Sequence, residues 1–112
     1  MDGELSSIHD AVAAIARGEV IIVIDAEERE DEGDFVCAAE KATPENINFI
    51  LGGRGDFCMS VLPEICQRLE LSPLVSDNTT KLQTAFVTPL DHVSCRTGIT
   101  AEERSQTVMS IV

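Results

Sequence analysis

The feature that most constrains this chain is an acidic run that follows directly on an apolar one. Residues 20–24 read VIIVI, and seven of the next ten residues, Asp25 to Asp34, are acids, with one arginine and one glycine among them. The β-branched run predicts a strand that is buried on both faces. Like charges at the end of such a strand repel each other, so the acidic run predicts a bound cation or charged substrate. A solvated hairpin loop is the alternative interpretation.

Length and composition exclude several classes of protein. The chain has 112 residues, of which 44% are hydrophobic, and this predicts a single folded domain over residues 1–112. A net charge of -12 leaves no basic patch for nucleic acid. No apolar run is long enough to span a membrane, and the acidic start is unlike a targeting signal. Four cysteines without CxxC spacing indicate reduced thiols, so we expect a cytoplasmic protein.

Helix and strand signals alternate along the chain. Capping signals at Ser7, Thr43 and Thr100 predict three helix starts. The predicted helices are 6–17, 43–52, 63–69 and 100–112, the predicted strands are 20–24, 35–39, 57–61 and 84–88, and 72–83 is a predicted loop. The alternation predicts an α+β fold, a mixed sheet covered by helices. The last helix is apolar up to its end, so we expect a truncated fold whose natural chain continues and whose sheet exposes an apolar edge.

The acidic run has a defined chemistry if it is functional. Carboxylates and water suit Mg²⁺ or Mn²⁺, and Arg29 could bind an anionic or hydroxyl-rich substrate. An EF-hand loop beginning at Glu28 is a poorer match, because its twelfth position would be Ala39 instead of glutamate and a strand precedes it.

Two other segments have both a functional and a structural interpretation. The residues from Thr97 to Thr100 lead into a helix, where free backbone N–H groups could bind phosphate, although an ordinary helix cap is the simpler interpretation. Cys58 lies in an apolar segment and is either a core residue or a nucleophile. His92 is interpreted as a loop histidine with a hydrogen-bond partner.

The motif Asp25-x-Glu-x-Arg-Glu-x-Glu-Gly-Asp34 is the most specific of these patterns. Together with its supporting segments it resembles the 3,4-dihydroxy-2-butanone-4-phosphate synthase family of riboflavin biosynthesis, from about residue 6 to the last residue. The supporting segments are Ala39-Glu40, Ala42-Thr43-Pro44-Glu45, Cys58, Leu62-Pro63-Glu64, Thr84-Ala-Phe86, Thr97-Gly-Ile99 and Glu103-Arg104. The resemblance covers about the first half of such an enzyme.

The resemblance implies a lyase. It also implies a homodimer whose subunits share active-site residues across their interface. Ribulose 5-phosphate would lose its fourth carbon as formate and give 3,4-dihydroxy-2-butanone 4-phosphate, with two Mg²⁺ (or Mn²⁺) ions holding the sugar oxygens. Glu30 would be the metal ligand of this half. The implied substrate contacts are Arg29, Glu30, Asp34 and, near the phosphate end of the substrate, Thr97. The implied catalytic residues are Asp25, Glu32 and Cys58, of which Cys58 has no firm role.

The chain departs from the family pattern in two places and lacks one part of it. Asp31 stands where the family usually has asparagine, and Val87-Thr-Pro89 replaces a Thr-Val-Ser type of strand. The family's Gly-His-x-x-Pro-Leu and Arg-x-Gly-His-Thr-Glu elements, which supply a catalytic histidine and the second metal ligand, are absent. An inactive half-domain that binds divalent metal or pairs with a full-length subunit is therefore the alternative function, and a plain acidic scaffold is the third.

Overall fold

A computed structural model describes residues 4–112 of the chain. Its elements are α1 (Ile8–Ala16), β1 (Ile21–Ile24), β2 (Gly33–Val36), a 3₁₀ helix (Ala39–Lys41), α2 (Pro44–Leu51), α3 (Pro63–Arg68) and α4 (Ala101–Ile111). The predicted α+β class is confirmed by this combination of helices and sheet. Within this part of the chain, no helix has the length and apolar character needed to cross a membrane.

The three predicted helix starts are confirmed by side-chain caps. The hydroxyl of Ser7 accepts a hydrogen bond from the amide of Asp10, and Thr43 does the same for Asn46 at the start of α2. The hydroxyl of Thr100 accepts from the amide of Glu103 at the start of α4. Each cap satisfies an amide that has no partner inside its own helix, which is why these local sequence signals are reliable.

The sheet of residues 4–112 consists of β1 and β2, which pair antiparallel from Ile21 opposite Val36 to Ile24 opposite Gly33. The prediction of strands at 57–61 and 84–88 is wrong for residues 4–112, because 57–61 has no paired neighbour there and Val87 forms only an isolated bridge with Pro73. An apolar run needs a partner strand to become part of a sheet, and local sequence does not supply one.

The prediction that β1 is buried on both faces is wrong for the chain as described. Ile22 is 62% exposed, and Val23 and Ile24 are each 45% exposed. In residues 4–112, β1 pairs along one edge with β2 and makes few contacts with α1, so its faces are left partly open. The sequence pattern indicates which side chains a strand could bury, whereas their actual burial depends on the elements that pack against the strand.

The core lies where α4 crosses α2. Ala42, Ile47 and Val108 form the buried cluster, and the hydroxyl of Ser105 on α4 donates a hydrogen bond of 2.6 Å to the buried carbonyl of Ala42. This core is small for the chain length, since the accessible surface is 8954 Å² against roughly 6,000 Å² for a compact 12.1 kDa protein. The radius of gyration, 15.4 Å, likewise exceeds the value of about 13 Å for a compact domain.

Candidate functional site

The acidic run forms the loop between β1 and β2, and Asp25 organises it. The Asp25 carboxylate accepts hydrogen bonds from the amides of Glu32 (2.9 Å) and Glu30 (3.3 Å) and from the guanidinium of Arg29 (2.7 Å). These donors, the Glu32 amide first, hold the pKa of Asp25 below its ordinary value despite an opposing effect of desolvation. Asp25 is therefore a fixed anion around which the loop closes.

Arg29 explains how so many acids share one loop. Its guanidinium lies 2.7 Å from the Asp25 carboxylate and 3.0 Å from the Glu30 carboxylate. The hydrogen bond to Asp25 and the charge of Glu30 raise the pKa of Arg29, so it stays a cation. One guanidinium thus offsets two carboxylates, while the side chains of Glu27, Glu28, Glu32 and Asp34 face solvent. The loop is both a solvated hairpin and a structured acidic site.

The donor chemistry of this loop fits a hard divalent cation, although the number of converging ligands is small. The Glu30 carboxylate is 35% exposed and could share its oxygens between Arg29 and a metal ion. In the described part of the chain, no three histidine, cysteine, aspartate or glutamate side chains converge on one metal position. Mg²⁺ is commonly held by one or two carboxylates and several waters, which this loop can supply. The EF-hand alternative is excluded, since β1 precedes the loop and Ala39 begins a 3₁₀ helix.

Asp34 lies on β2 beside a surface cleft. The cleft has a volume of about 140 Å³ and is lined by Gly33, Asp34, Phe35, Ile50, Leu51, Gly53, Arg54, Gly55, Asp56 and Phe57. Phe35 and Phe49 meet edge to face with their centroids 5.2 Å apart, which fixes this strand against α2. Two carboxylates, those of Asp34 and Asp56, and the guanidinium of Arg54 therefore share a partly apolar wall.

A second cleft, of about 280 Å³, lies at the start of α4. It is lined by Phe57, Pro89, Leu90, Asp91, Thr97, Gly98, Ile99, Arg104, Thr107 and Val108. Phe57 lines both clefts, and the guanidinium of Arg104 lies over its ring at 5.4 Å. The residue after Phe57 is Cys58, which is exposed and lines neither cleft. Phe57 therefore borders both the cleft beside Asp34 and the cleft beside Thr97.

Glu103 holds the turn beside the second cleft, a role that the sequence did not indicate. The capping motif predicts that its carboxylate bonds to the amide of Thr100. Instead, the carboxylate accepts from the amide of Arg96 at 2.7 Å and from the hydroxyl of Thr97 at 3.1 Å. The Arg96 amide is the chief cause of a lowered Glu103 pKa, with desolvation opposing it and the Thr97 hydroxyl and the amides of Gly98 and Thr97 adding to it. The positive φ of Gly98, 72°, is the backbone feature that makes this turn possible.

The loop that precedes this turn is pinned to α4. The amide of His92 donates to the Thr107 hydroxyl at 3.0 Å, and the His92 ring contacts the Ser94 hydroxyl at 2.8 Å. The Sγ atom of Cys95 lies 3.6 Å from the carbonyl oxygen of Glu103. These contacts support the interpretation of His92 as a loop histidine with a hydrogen-bond partner.

The family model for 3,4-dihydroxy-2-butanone 4-phosphate synthase matches residues 9–112. The chain belongs to this synthase family. A riboflavin biosynthesis protein RibBA of Bacillus subtilis (strain 168) is 51% identical over 106 residues, which are 94% of this chain and 27% of that protein. The synthase fold is shown as well: the crystal structure of a 3,4-dihydroxy-2-butanone 4-phosphate synthase in complex with two magnesium ions superposes with a TM-score of 0.90 and 32% identity.

The synthase relatives are longer than this chain. The match to the magnesium-bound synthase covers 96% of this chain and 51% of that one. A cation-free form of such a synthase matches with a TM-score of 0.84 and 30% identity, over 96% of this chain and 50% of that one. The chain therefore spans about half the length of these solved synthases and 27% of the Bacillus subtilis relative.

Proposed function

We propose that this chain carries the acidic-loop half of a 3,4-dihydroxy-2-butanone 4-phosphate synthase and contributes to a lyase reaction of riboflavin biosynthesis. In that reaction, ribulose 5-phosphate gives 3,4-dihydroxy-2-butanone 4-phosphate and one formate, which contains the fourth carbon of the sugar. The observation that carries the proposal is the pair of clefts that share Phe57, one beside Asp34 and the other beside Thr97. A phosphorylated polyol that spans both clefts would meet the carboxylates of Asp34 and Asp56 in the first cleft and the Thr97 hydroxyl and Asp91 carboxylate in the second.

We assign a different role to each residue of the acidic loop. Glu30 would hold a divalent cation, Mg²⁺ or Mn²⁺ (two in a complete site), and that cation would make a proton beside a carbonyl easier to remove. Arg29 and Asp34 would bind substrate hydroxyls. Glu32 is a better proton carrier than Asp25, because its carboxylate has no hydrogen-bond partner within residues 4–112 whereas Asp25 already accepts three. Cys58 is proposed to lie near the substrate without a fixed role.

The alternative function, a half-domain that binds metal without turnover of its own, is favoured by the single predicted metal ligand in this part of the chain. We propose that the remaining ligands come from a full-length subunit that pairs with this chain in the cytoplasm, as two complete subunits would pair in a homodimer of the family. The large exposed surface of residues 4–112 supports such a partner.

Mn²⁺ binding followed by NMR tests the metal site, because the paramagnetic ion broadens the signals of nearby amides. We expect broadening of residues 25–34 in the wild-type chain and its loss in Glu30→Gln. Glu28→Gln is the matched control, since Glu28 is an exposed acid of the same loop. Equal broadening in all three proteins would indicate diffuse attraction to the charge of -12 and would contradict a site at Glu30. Absence of any effect of Mg²⁺ or Mn²⁺ on the melting temperature would support the plain acidic scaffold.

Formate release from ribulose 5-phosphate tests the reaction. With Mg²⁺, we expect negligible turnover by this chain alone and increased turnover when a full-length synthase subunit with an inactivated acidic loop is added, because each would supply what the other lacks. Normal turnover by the chain alone, abolished by EDTA, would contradict the half-domain alternative. No turnover in the mixture would contradict complementation.

A further inference from the structure

The turn from Arg96 to Ile99 already contains an anion, the carboxylate of Glu103. One carboxylate oxygen accepts from the Arg96 amide at 2.7 Å, and the other accepts from the Thr97 hydroxyl at 3.1 Å. From the other side, the Nε of Arg104 donates to the carbonyl of Ile99 at 2.9 Å. Two consecutive side chains of α4 therefore hold the turn, one through its donors and one through its carbonyl.

This occupancy decides what the turn can bind. Phosphate is bound by free backbone amides, as at a helix N-terminus, but in this turn the Arg96 amide faces Glu103 and the Ile99 amide donates to the Thr97 hydroxyl at 3.3 Å. The amide of Glu103 is likewise used, by the Thr100 hydroxyl. A phosphate would have to displace an internal carboxylate of the same charge sign before it could reach these groups.

The hydrogen bonds of the Thr97 hydroxyl also determine whether it can still donate or only accept. A threonine hydroxyl has one proton and two lone pairs. In this structure the proton goes to Glu103, and the Ile99 amide takes one lone pair. The remaining lone pair can only accept a hydrogen bond. Since a phosphate dianion is itself only an acceptor, it is a poor partner for this oxygen, whereas a sugar hydroxyl is a good one.

We propose that Glu103 is a positioning residue that closes the 96–98 turn to anions and presents the Thr97 oxygen to a sugar hydroxyl of the substrate, so that Thr97 does not contact the phosphate. The inference rests on the proposed function for its ligand class, a sugar phosphate. The closed turn itself is a property of the chain that can be measured without turnover.

Inorganic phosphate tests whether the turn is closed. In the wild-type chain, and in the control Glu102→Gln on the exposed side of the same helical turn, phosphate should leave the NMR signals of amides 96–98 unshifted. In Glu103→Ala these signals should shift saturably, because the carboxylate that occupied the donors is gone. Saturable shifts in the wild-type chain, or unshifted signals in Glu103→Ala, would overturn the proposal.

Ribulose 5-phosphate and unphosphorylated ribulose test what Thr97 contacts. A hydroxyl contact is available in both sugars, so Thr97→Val should weaken both by the same factor, about two- to tenfold for one hydrogen bond. A loss confined to ribulose 5-phosphate would place Thr97 at the phosphate and overturn the proposal. Failure of the wild-type chain to bind either sugar would also overturn it, while Mn²⁺ binding at Glu30 would still decide the metal site separately.

Glu103→Gln distinguishes positioning from a merely structural role. Glutamine keeps an oxygen for the Arg96 amide but turns an NH₂ donor toward Thr97. The Thr97 hydroxyl must then accept from that donor, and its proton becomes free for a phosphate. The affinity for ribulose 5-phosphate relative to ribulose should therefore rise in Glu103→Gln and stay unchanged in Glu102→Gln. An equal loss of both affinities in Glu103→Gln would overturn the proposal.

Discussion

Replacing Ser105 by alanine should destabilise the whole chain, because this hydroxyl joins α4 to the segment that leaves the acidic-loop hairpin. Ser105 is 4% exposed, and its hydroxyl donates to the carbonyl of Ala42, a residue that is 1% exposed, at 2.6 Å. In Ser105→Ala that carbonyl would stay buried without its donor. Water cannot easily replace the hydroxyl, since Ala42 packs in the core with Ile47 and Val108.

The size of the effect follows from two opposing contributions. Leaving a buried acceptor unsatisfied costs about 1–3 kcal/mol. Alanine is the better helix former, and in the interior of α4 it recovers about 0.5 kcal/mol. The free energy of unfolding should therefore fall by about 0.5–2.5 kcal/mol. For a chain with so small a core, this is a large part of the total stability.

Urea unfolding followed by circular dichroism measures this change. Ser110→Ala is the matched control, because the Ser110 hydroxyl also bonds to a backbone carbonyl of α4, that of Thr107 at 2.7 Å, but Ser110 is exposed. Water can replace that bond, so the midpoint of Ser110→Ala should stay near the wild-type value. Equal midpoints for Ser105→Ala and Ser110→Ala would refute the reasoning that the buried bond joins α4 to the hairpin segment.

Further predictions concern a glycine, a carboxylate and a core residue. Gly98→Ala should lower the urea midpoint, since Gly98 has a φ of 72° and an added Cβ would collide with the Asp91 carboxylate. Gly55→Ala is the control, because a Cβ added there meets open space, and equal midpoints for the two variants would contradict this. Hydrogen bonds to the Glu103 carboxylate lower its pKa; they are complete above pH 4.5, the ordinary pKa of glutamate, and are lost as the pH falls through the lowered pKa. The NMR signals of the turn that Glu103 holds should therefore titrate with a midpoint below pH 4.5, and a midpoint above pH 4.5 would contradict this. Ile47→Ala should cost about 2–5 kcal/mol in urea unfolding, and a cost below 1 kcal/mol would mean that the α2–α4 contact is not the core.

The helices were predictable from the sequence because their signals are local. Thr43, Pro44 and Glu45 together specify a helix start through a cap, a restrained φ and a favourable charge, and α2 begins at Pro44 as expected. The strands were less predictable. The segment 57–61 is mostly apolar, yet it has no paired neighbour in residues 4–112, since pairing depends on strands elsewhere in the fold.

The candidate site was predictable in part for the same reason. The acidic loop is a contiguous segment, so one hairpin brings its residues together, and Arg29 contacts both its neighbour Glu30 and Asp25, four residues earlier. The role of Glu103 was not predictable, because its carboxylate reaches back seven residues to the Arg96 amide and bypasses the capping partner that the motif indicates. The shared wall at Phe57 was also hidden, since it joins segments that are distant in sequence.

Asp31 shows how the backbone of the acidic loop limits its sequence. Its φ is 53°, in the left-handed region that asparagine and aspartate tolerate better than other residues with a Cβ. The asparagine usual in the family and the aspartate of this chain therefore suit the same backbone, and they differ in one charge between Glu30 and Glu32. The added carboxylate raises repulsion without a cation and attraction with one. Asp31→Asn should therefore raise the melting temperature without metal and reduce the further increase caused by Mg²⁺, and an unchanged Mg²⁺ effect would mean that the cation does not sense this position.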